Sequence, residues 1–88
     1  MQHATHPEIV KRLKQAHGHL ATILTMFAEG RSCPELAQQL QAVESTIAAA
    51  KRALIHDHME HCIAGAFAQG GMSRDQAMRE FDALAKYL

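Results

Sequence analysis

Apolar residues recur along the chain at steps of three, four and seven, and no strand-like alternation of useful length interrupts them. Steps of this size place side chains on one face of an α-helix. Two such stripes consist of Val10, Leu13, Leu20, Leu24 and Phe27, then of Leu36, Leu40, Val43, Ile47, Ala50 and Leu54. A third, shorter stripe consists of Met78, Phe81, Leu84 and Leu88. The pattern predicts an all-α fold of three helices whose stripes form the core.

Each predicted helix begins at a capping motif, in which Ser or Thr is followed three residues later by Glu or Gln. These motifs begin at Thr5, Ser32 and Ser73. Gly30 and the pair Gly70–Gly71 stand where the first two helices should end. The predicted helices are at about residues 6–29, 33–68 and 74–87.

The second predicted helix is too long to be covered by the rest of an 88-residue chain. About 35 residues rising ~1.5 Å each give a length of about 50 Å. A single domain of this size has a radius of gyration of only about 12–13 Å. We therefore expect one domain, residues 1–88, whose long helix pairs antiparallel with the same helix of a second copy. Small residues at 48–50 would let the two helices approach closely.

Composition and charge exclude several classes of protein. The formal net charge is zero, so overall electrostatics indicates neither a nucleic-acid nor a membrane partner. No apolar run approaches the ~18 residues that cross a bilayer, and the first residues lack the apolar core of a signal peptide. We expect a cytoplasmic protein with reduced thiols and no membrane partner. Because no nucleophile–base pair is visible, we do not expect an enzyme.

The segment HDHMEHC, residues 56–62, concentrates metal-binding side chains. His58 and Cys62 are four residues apart and share one helix face. Cys33 lies ~43 Å from Cys62 along a continuous helix, too far for a disulfide within one chain. In an antiparallel pair crossing near residue 47, however, Cys33 of one copy lies beside residues 58–62 of the other. Thiolate and imidazole groups bind metal ions, so we predict a metal site across the subunit interface.

These residues also carry a resemblance to a known family. Cys33, His58 and Cys62 on a long second helix, with the segment QQLQAV at residues 38–43, resemble the metal-sensing repressors of the CsoR/RcnR type. The segment IHDHMEHC and the terminal KYL look most like the DmeR branch, which responds to nickel and cobalt. The resemblance implies an all-α dimer that pairs into a homotetramer. It also implies an apo form that binds operator DNA and a metal-bound form that releases it, so that an efflux gene is expressed.

Three ligands do not determine the metal. Two thiolates and one imidazole at low coordination number suit Cu(I), whereas Ni(II) and Co(II) favour more nitrogen ligands. The resemblance to the nickel and cobalt branch implies an N-terminal histidine in the site, which makes His3 the candidate and His6 its competitor. The start Met1–Gln2–His3 also presents an amine followed by a histidine at the third position, a pattern that binds Ni(II) or Cu(II). We expect Ni(II) or Co(II), with Cu(I) as the alternative.

The candidate DNA contacts follow from the resemblance, because the sequence has no helix-turn-helix pattern. They are Lys11, Arg12 and Lys14 on the first helix and Gln39 on the second. Two positions that are often basic in the family are Gln15 and Ala21 here. These differences leave open a second hypothesis, an oligomeric metal-binding protein that does not contact DNA.

The other histidines are not expected to bind metal directly. His17 lies on the apolar stripe of the first helix and is predicted in the core or in an interface. His56 and His61 are predicted to face solvent or to orient metal ligands. His19 stands where the family often has Gln.

Overall fold

The computed structural model describes residues 6–67 and 73–88. Within these ranges the chain forms three α-helices and no strand: α1 (His6–Ala28), α2 (Cys33–Phe67) and α3 (Arg74–Ala85). The all-α prediction with a long second helix is confirmed. Helix bounds agree with the predicted ones to within two residues, except that the predicted end at residue 68 lies outside the described residues. None of the helices in the described ranges combines the length and apolar character needed to span a membrane.

The chain divides into two compact units, Met1–Lys51 and Arg52–Leu88. The described part of the first unit is a helical hairpin made by α1, a tight turn and the first half of α2. The second unit contains the rest of α2 together with α3. That residues 1–88 form a single domain stays a prediction.

The turn between α1 and α2 is closed by a glycine in the left-handed conformation. Gly30 has a φ of 71°. Its N–H donates to the carbonyl of Phe27 at 3.1 Å, and the N–H of Arg31 donates to the carbonyl of Met26 at 3.1 Å. This pair of bonds is the Schellman motif, which satisfies the last carbonyl groups of a helix. α1 therefore ends as the sequence predicts, whereas Gly70–Gly71 lie outside the described residues.

α2 and α3 both begin at the predicted serine caps. The N–H of Glu35 donates to Oγ of Ser32 at 3.4 Å, and the N–H of Gln76 donates to Oγ of Ser73 at 3.1 Å. A cap of this kind satisfies one of the first N–H groups of a helix and contributes about 1 kcal/mol. The third predicted capping residue, Thr5, lies outside the described residues.

The core stripe predicted on α1 is wrong for the single chain. Its members are between 39% and 71% exposed: Val10, Leu13, Leu20, Leu24 and Phe27. The buried residues of α1 belong to the neighbouring stripe: Ile9, Ala16, Ile23 and Met26. α1 therefore has two adjacent apolar stripes, and the hairpin within one chain covers only one of them.

The stripe predicted on α2 is divided in the same way. The prediction is correct for Leu36, Val43 and Ala50, which are buried. It is wrong for Leu40, Ile47 and Leu54, which are 42–43% exposed. On α3, Leu84 is half-buried, but Met78, Phe81 and Leu88 are exposed. Helical spacing identifies an apolar face, but it does not say which element covers that face.

Candidate metal centre

Cys33 is the first residue of α2, and its thiol is free and exposed. It follows the capping residue Ser32 directly. The nearby cation, Arg31, pairs with Glu35, with Nη2 of the arginine 2.6 Å from Oε2 of the glutamate. That carboxylate balances the positive charge beside the thiol, and both side chains are about half exposed. The thiol is therefore accessible to a metal ion and to ligands from outside its own chain.

His58 lies in the second unit, where it forms a hydrogen bond to α3. Its Nε2 is 2.9 Å from Oε2 of Glu80. An ionised carboxylate can only accept a hydrogen bond, so Nε2 donates its proton in this pair. In a neutral imidazole the other ring nitrogen, Nδ1, then carries the lone pair that a metal ion requires. The contact with Glu80 thus selects the tautomer that carries its proton on Nε2.

Apolar side chains surround this hydrogen bond. Leu54, Ala83 and Leu84 line a cavity of about 210 Å³ together with His58 and Glu80. The side chains of His58 and Glu80 are nevertheless 30% and 44% exposed, so water also reaches the contact. Sequence analysis did not identify Glu80, because no spacing rule connects it to a residue 22 positions earlier. Its only signal is its position beside Phe81 on the apolar stripe of α3.

Of the remaining predicted metal ligands, His3 and the side chain of Cys62 lie outside the described residues, whereas His6 lies within them. The backbone of Cys62 belongs to α2, but its side chain lies outside the described part. His3 precedes the described residues, and its competitor His6 is the half-buried first residue of α1. Within the residues that the structure describes, no three His, Cys, Asp or Glu side chains lie close enough together to hold a metal ion. The predicted ligand set therefore stays a prediction.

Three histidines that were not predicted as metal ligands, His17, His56 and His61, are exposed. Nε2 of His56 lies 3.6 Å from Oε1 of Glu60, and both side chains are at least 69% exposed. His61 is exposed as well. His17 is exposed in the single chain, so the alternative that places it in the core of one chain is wrong.

The predicted DNA contacts all lie in the first unit. Lys11, Arg12 and Lys14 are exposed on α1, whereas Gln39 on α2 is half-buried. Nε2 of His19 lies 2.6 Å from Oε1 of Gln39, so the histidine donates and the amide oxygen accepts. The amide NH₂ of Gln39 is then the group that can donate to an external acceptor. His19 orients Gln39, a function that sequence analysis did not assign to it.

Known proteins resemble this chain along most of its length. The family described as metal-sensitive transcriptional repressor matches residues 5–87. The copper-sensing transcriptional repressor CsoR of Mycobacterium ulcerans is 38% identical over 61 residues, which is 69% of this chain and 52% of that protein. The copper-sensing transcriptional repressor RicR of Mycobacterium tuberculosis is 32% identical over 73 residues, which is 83% of this chain and 76% of that protein.

One solved structure is similar in fold and in sequence. It is the nickel-responsive transcriptional regulator InrS, with a TM-score of 0.83, 32% identity and coverage of 92% of this chain and 89% of that chain. The chain spans about half the length of the CsoR relative. Proteins named for copper and a protein named for nickel are therefore both similar to this chain.

Proposed function

Because the chain belongs to the family of metal-sensitive transcriptional repressors, we propose that it binds operator DNA when metal-free and releases it on binding Ni(II) or Co(II). Release would allow a metal-efflux gene to be expressed. The family consists of transcriptional repressors, which confirms that the protein is not an enzyme. The observation that carries the proposal is the match of the metal-sensitive transcriptional repressor family to residues 5–87.

The proposed metal site is shared between two copies of the chain. Cys33 carries an exposed, free thiol. If two α2 helices pair antiparallel, Cys33 of one copy lies beside His58 and Cys62 of the other. The exposed apolar stripes of α1 and α2 support such a pair, since monomers rarely leave large contiguous apolar patches uncovered. In the proposed assembly, two of these dimers form a homotetramer.

The choice of Ni(II) or Co(II) rests on additional nitrogen ligands. His3, or His6 in its place, would add an imidazole to the two thiolates and His58, and borderline metal ions accept such mixed donor sets. The similarity to InrS, a nickel-responsive regulator, supports this choice. The names of CsoR and RicR support the alternative, a Cu(I) site made by Cys33, His58 and Cys62 alone.

The proposed DNA surface consists of Lys11, Arg12, Lys14 and Gln39. The three basic side chains are exposed on one helix, where they can contact phosphate groups. In the metal-bound form, a ligand from the start of the chain would link the site to α1. A coupling free energy of ~1–3 kcal/mol between metal and DNA is sufficient for such regulation. The alternative function, metal binding by an oligomer without DNA contact, remains distinguishable by experiment.

The test uses DNA from the promoter of the protein's own gene. Apo protein is titrated onto this DNA at low salt, and Ni(II), Co(II) or Cu(I) is then added separately. We expect apo protein to bind and the effector metal to weaken binding about tenfold, which corresponds to ~1.4 kcal/mol. Cys33→Ala should bind DNA but lose the metal response. His56→Ala, which removes an exposed histidine from the same helix, should retain it.

Two outcomes contradict different parts of the proposal. If no form of the protein binds DNA at low salt, the repressor function is wrong and the metal-binding oligomer replaces it. If Cys33→Ala binds metal as tightly as the unsubstituted protein, the shared site is wrong.

A further inference from the structure

The exposed face of α2 in the first unit is a groove with a charge on each side of an apolar floor. Its volume is about 590 Å³, and it is lined by Leu40, Val43, Glu44, Ile47, Ala48 and Lys51. Leu40 and Ile47 are each 43% exposed along this groove. Glu44 and Lys51 are both exposed, and Ile47 and Ala48 lie between them along the helix. The groove therefore presents an apolar surface between a negative and a positive charge.

The two charges do not pair with each other within the chain. They are seven residues apart on one helix, which corresponds to about 10.5 Å along the axis. Among the residues that the structure describes, neither Glu44 nor Lys51 takes part in an ion pair. Both charges are available to a partner whose own charges have the opposite order.

Along α2, the midpoint between Glu44 and Lys51 is also the midpoint between Cys33 and Cys62. When a helix pairs antiparallel with its own copy, a twofold axis passes through one point and exchanges the residues on either side of it. If Cys33 faces Cys62 of the other copy, the axis passes between Ile47 and Ala48. The same axis places Glu44 opposite Lys51 of the other copy. When Cys33 faces Cys62, the cysteines and the two charges therefore share one register.

We propose that Glu44 and Lys51 pair across the interface of the antiparallel dimer proposed above and set its register. The choice of partner rests on the shared metal site proposed above. Two ion pairs form per dimer. If one helix is shifted by seven residues along the other, Glu44 of one copy faces Glu44 of the other copy. A shift in the opposite direction makes Lys51 face Lys51. Parallel pairing also places like charges together, so the charge pattern disfavours each of these alternatives.

Charge reversal with mixing tests the proposal. Glu44→Lys makes both groove positions positive, and Lys51→Glu makes both negative. A homodimer of either variant then contains two repulsive pairs, whereas a mixed dimer contains two attractive ones. We expect each variant to self-associate at least tenfold more weakly than the unsubstituted protein. The equimolar mixture of the two variants should associate within threefold as strongly as the unsubstituted protein. The double variant E44K/K51E should do the same.

The measurement is sedimentation equilibrium of apo protein without DNA, at low salt and in 1 M NaCl. In 1 M NaCl, the self-association constants of the variants should lie closer to that of the unsubstituted protein, because the Debye length falls to about 3 Å. Arg52→Glu is the matched control: it makes the same charge change one residue away but outside the groove, and it should leave self-association unchanged. Circular dichroism verifies that every variant is helical.

Each outcome bears on one proposal separately. Single variants that associate like the unsubstituted protein, or a mixture no stronger than its components, would show that these charges do not set the register. Failure of the unsubstituted protein to bind metal or DNA would overturn the proposed function and leave the charge-pairing result in place.

Discussion

Replacing Glu80 by Ala removes the acceptor that holds the imidazole of His58. In the structure, Oε2 of Glu80 lies 2.9 Å from Nε2 of the histidine. Without this contact the proton can occupy either ring nitrogen, and the tautomer protonated on Nδ1 cannot bind a metal ion through that atom. We expect Glu80→Ala to weaken metal binding although it removes none of the predicted ligands.

The size of the expected loss in metal affinity follows from the exposure of His58 and Glu80. A hydrogen bond to a charged group contributes about 1.5–3 kcal/mol. Because the side chains of His58 and Glu80 are 30% and 44% exposed, water competes with the contact and the lower value applies. About 1.5 kcal/mol corresponds to roughly tenfold weaker metal binding. This is the lower end of the range of about 10–100-fold for residues that orient a metal ligand. Glu80→Gln keeps an accepting oxygen without the charge, so we expect a loss of about threefold.

The assay is competition with a chromophoric chelator under reducing, anaerobic conditions, for Ni(II), Co(II) and Cu(I) in turn. Glu60→Ala is the control, because it removes an exposed carboxylate that pairs with His56 instead of His58. Circular dichroism shows whether α3 is intact. If Glu80→Ala is helical and binds the effector metal within twofold of the unsubstituted protein, Glu80 does not orient the ligand.

Two further predictions concern the first unit. His19→Ala removes the 2.6 Å bond to Gln39 and should weaken operator binding by apo protein about threefold, measured by fluorescence anisotropy. His19→Gln should restore operator binding. If the alanine variant binds the operator as tightly as the unsubstituted protein, Gln39 does not depend on His19. Gly30→Ala should cost about 1 kcal/mol in urea unfolding because its φ is 71°, and Gly18→Ala, inside α1 with open space at its Cβ, should stabilise by up to about 1 kcal/mol. If both glycine substitutions raise the free energy of unfolding, or both lower it, this account of the two glycines is wrong.

The helix bounds could be predicted because their causes are local. Ser32 and Ser73 cap helices through bonds to residues three positions later, and Gly30 ends a helix through its own backbone conformation. Such signals lie within a few residues of sequence and do not depend on the rest of the fold. They are sufficient for the number, type and order of the helices.

The surroundings of the site could be predicted only in part. Helical spacing relates His58 to Cys62, because residues four apart share a face. The contact between His58 and Glu80 joins α2 to α3, and no periodicity within one helix contains it. The bond between His19 and Gln39 likewise joins α1 to α2. Residues that orient functional side chains across helices therefore required the tertiary structure.

The wrong core stripe on α1 has a physical explanation if the folded unit is a dimer. A chain of 88 residues buries a limited share of its surface, so apolar stripes left exposed in one copy are available to cover those of another. Sequence periodicity identifies both stripes as apolar, and it cannot distinguish burial within a chain from burial between chains. A metal site divided between copies then links two equilibria. By thermodynamic reciprocity, the factor by which dimerisation raises metal affinity is the factor by which metal strengthens dimerisation. Comparing the self-association constant with and without metal therefore measures the coupling between metal binding and dimerisation.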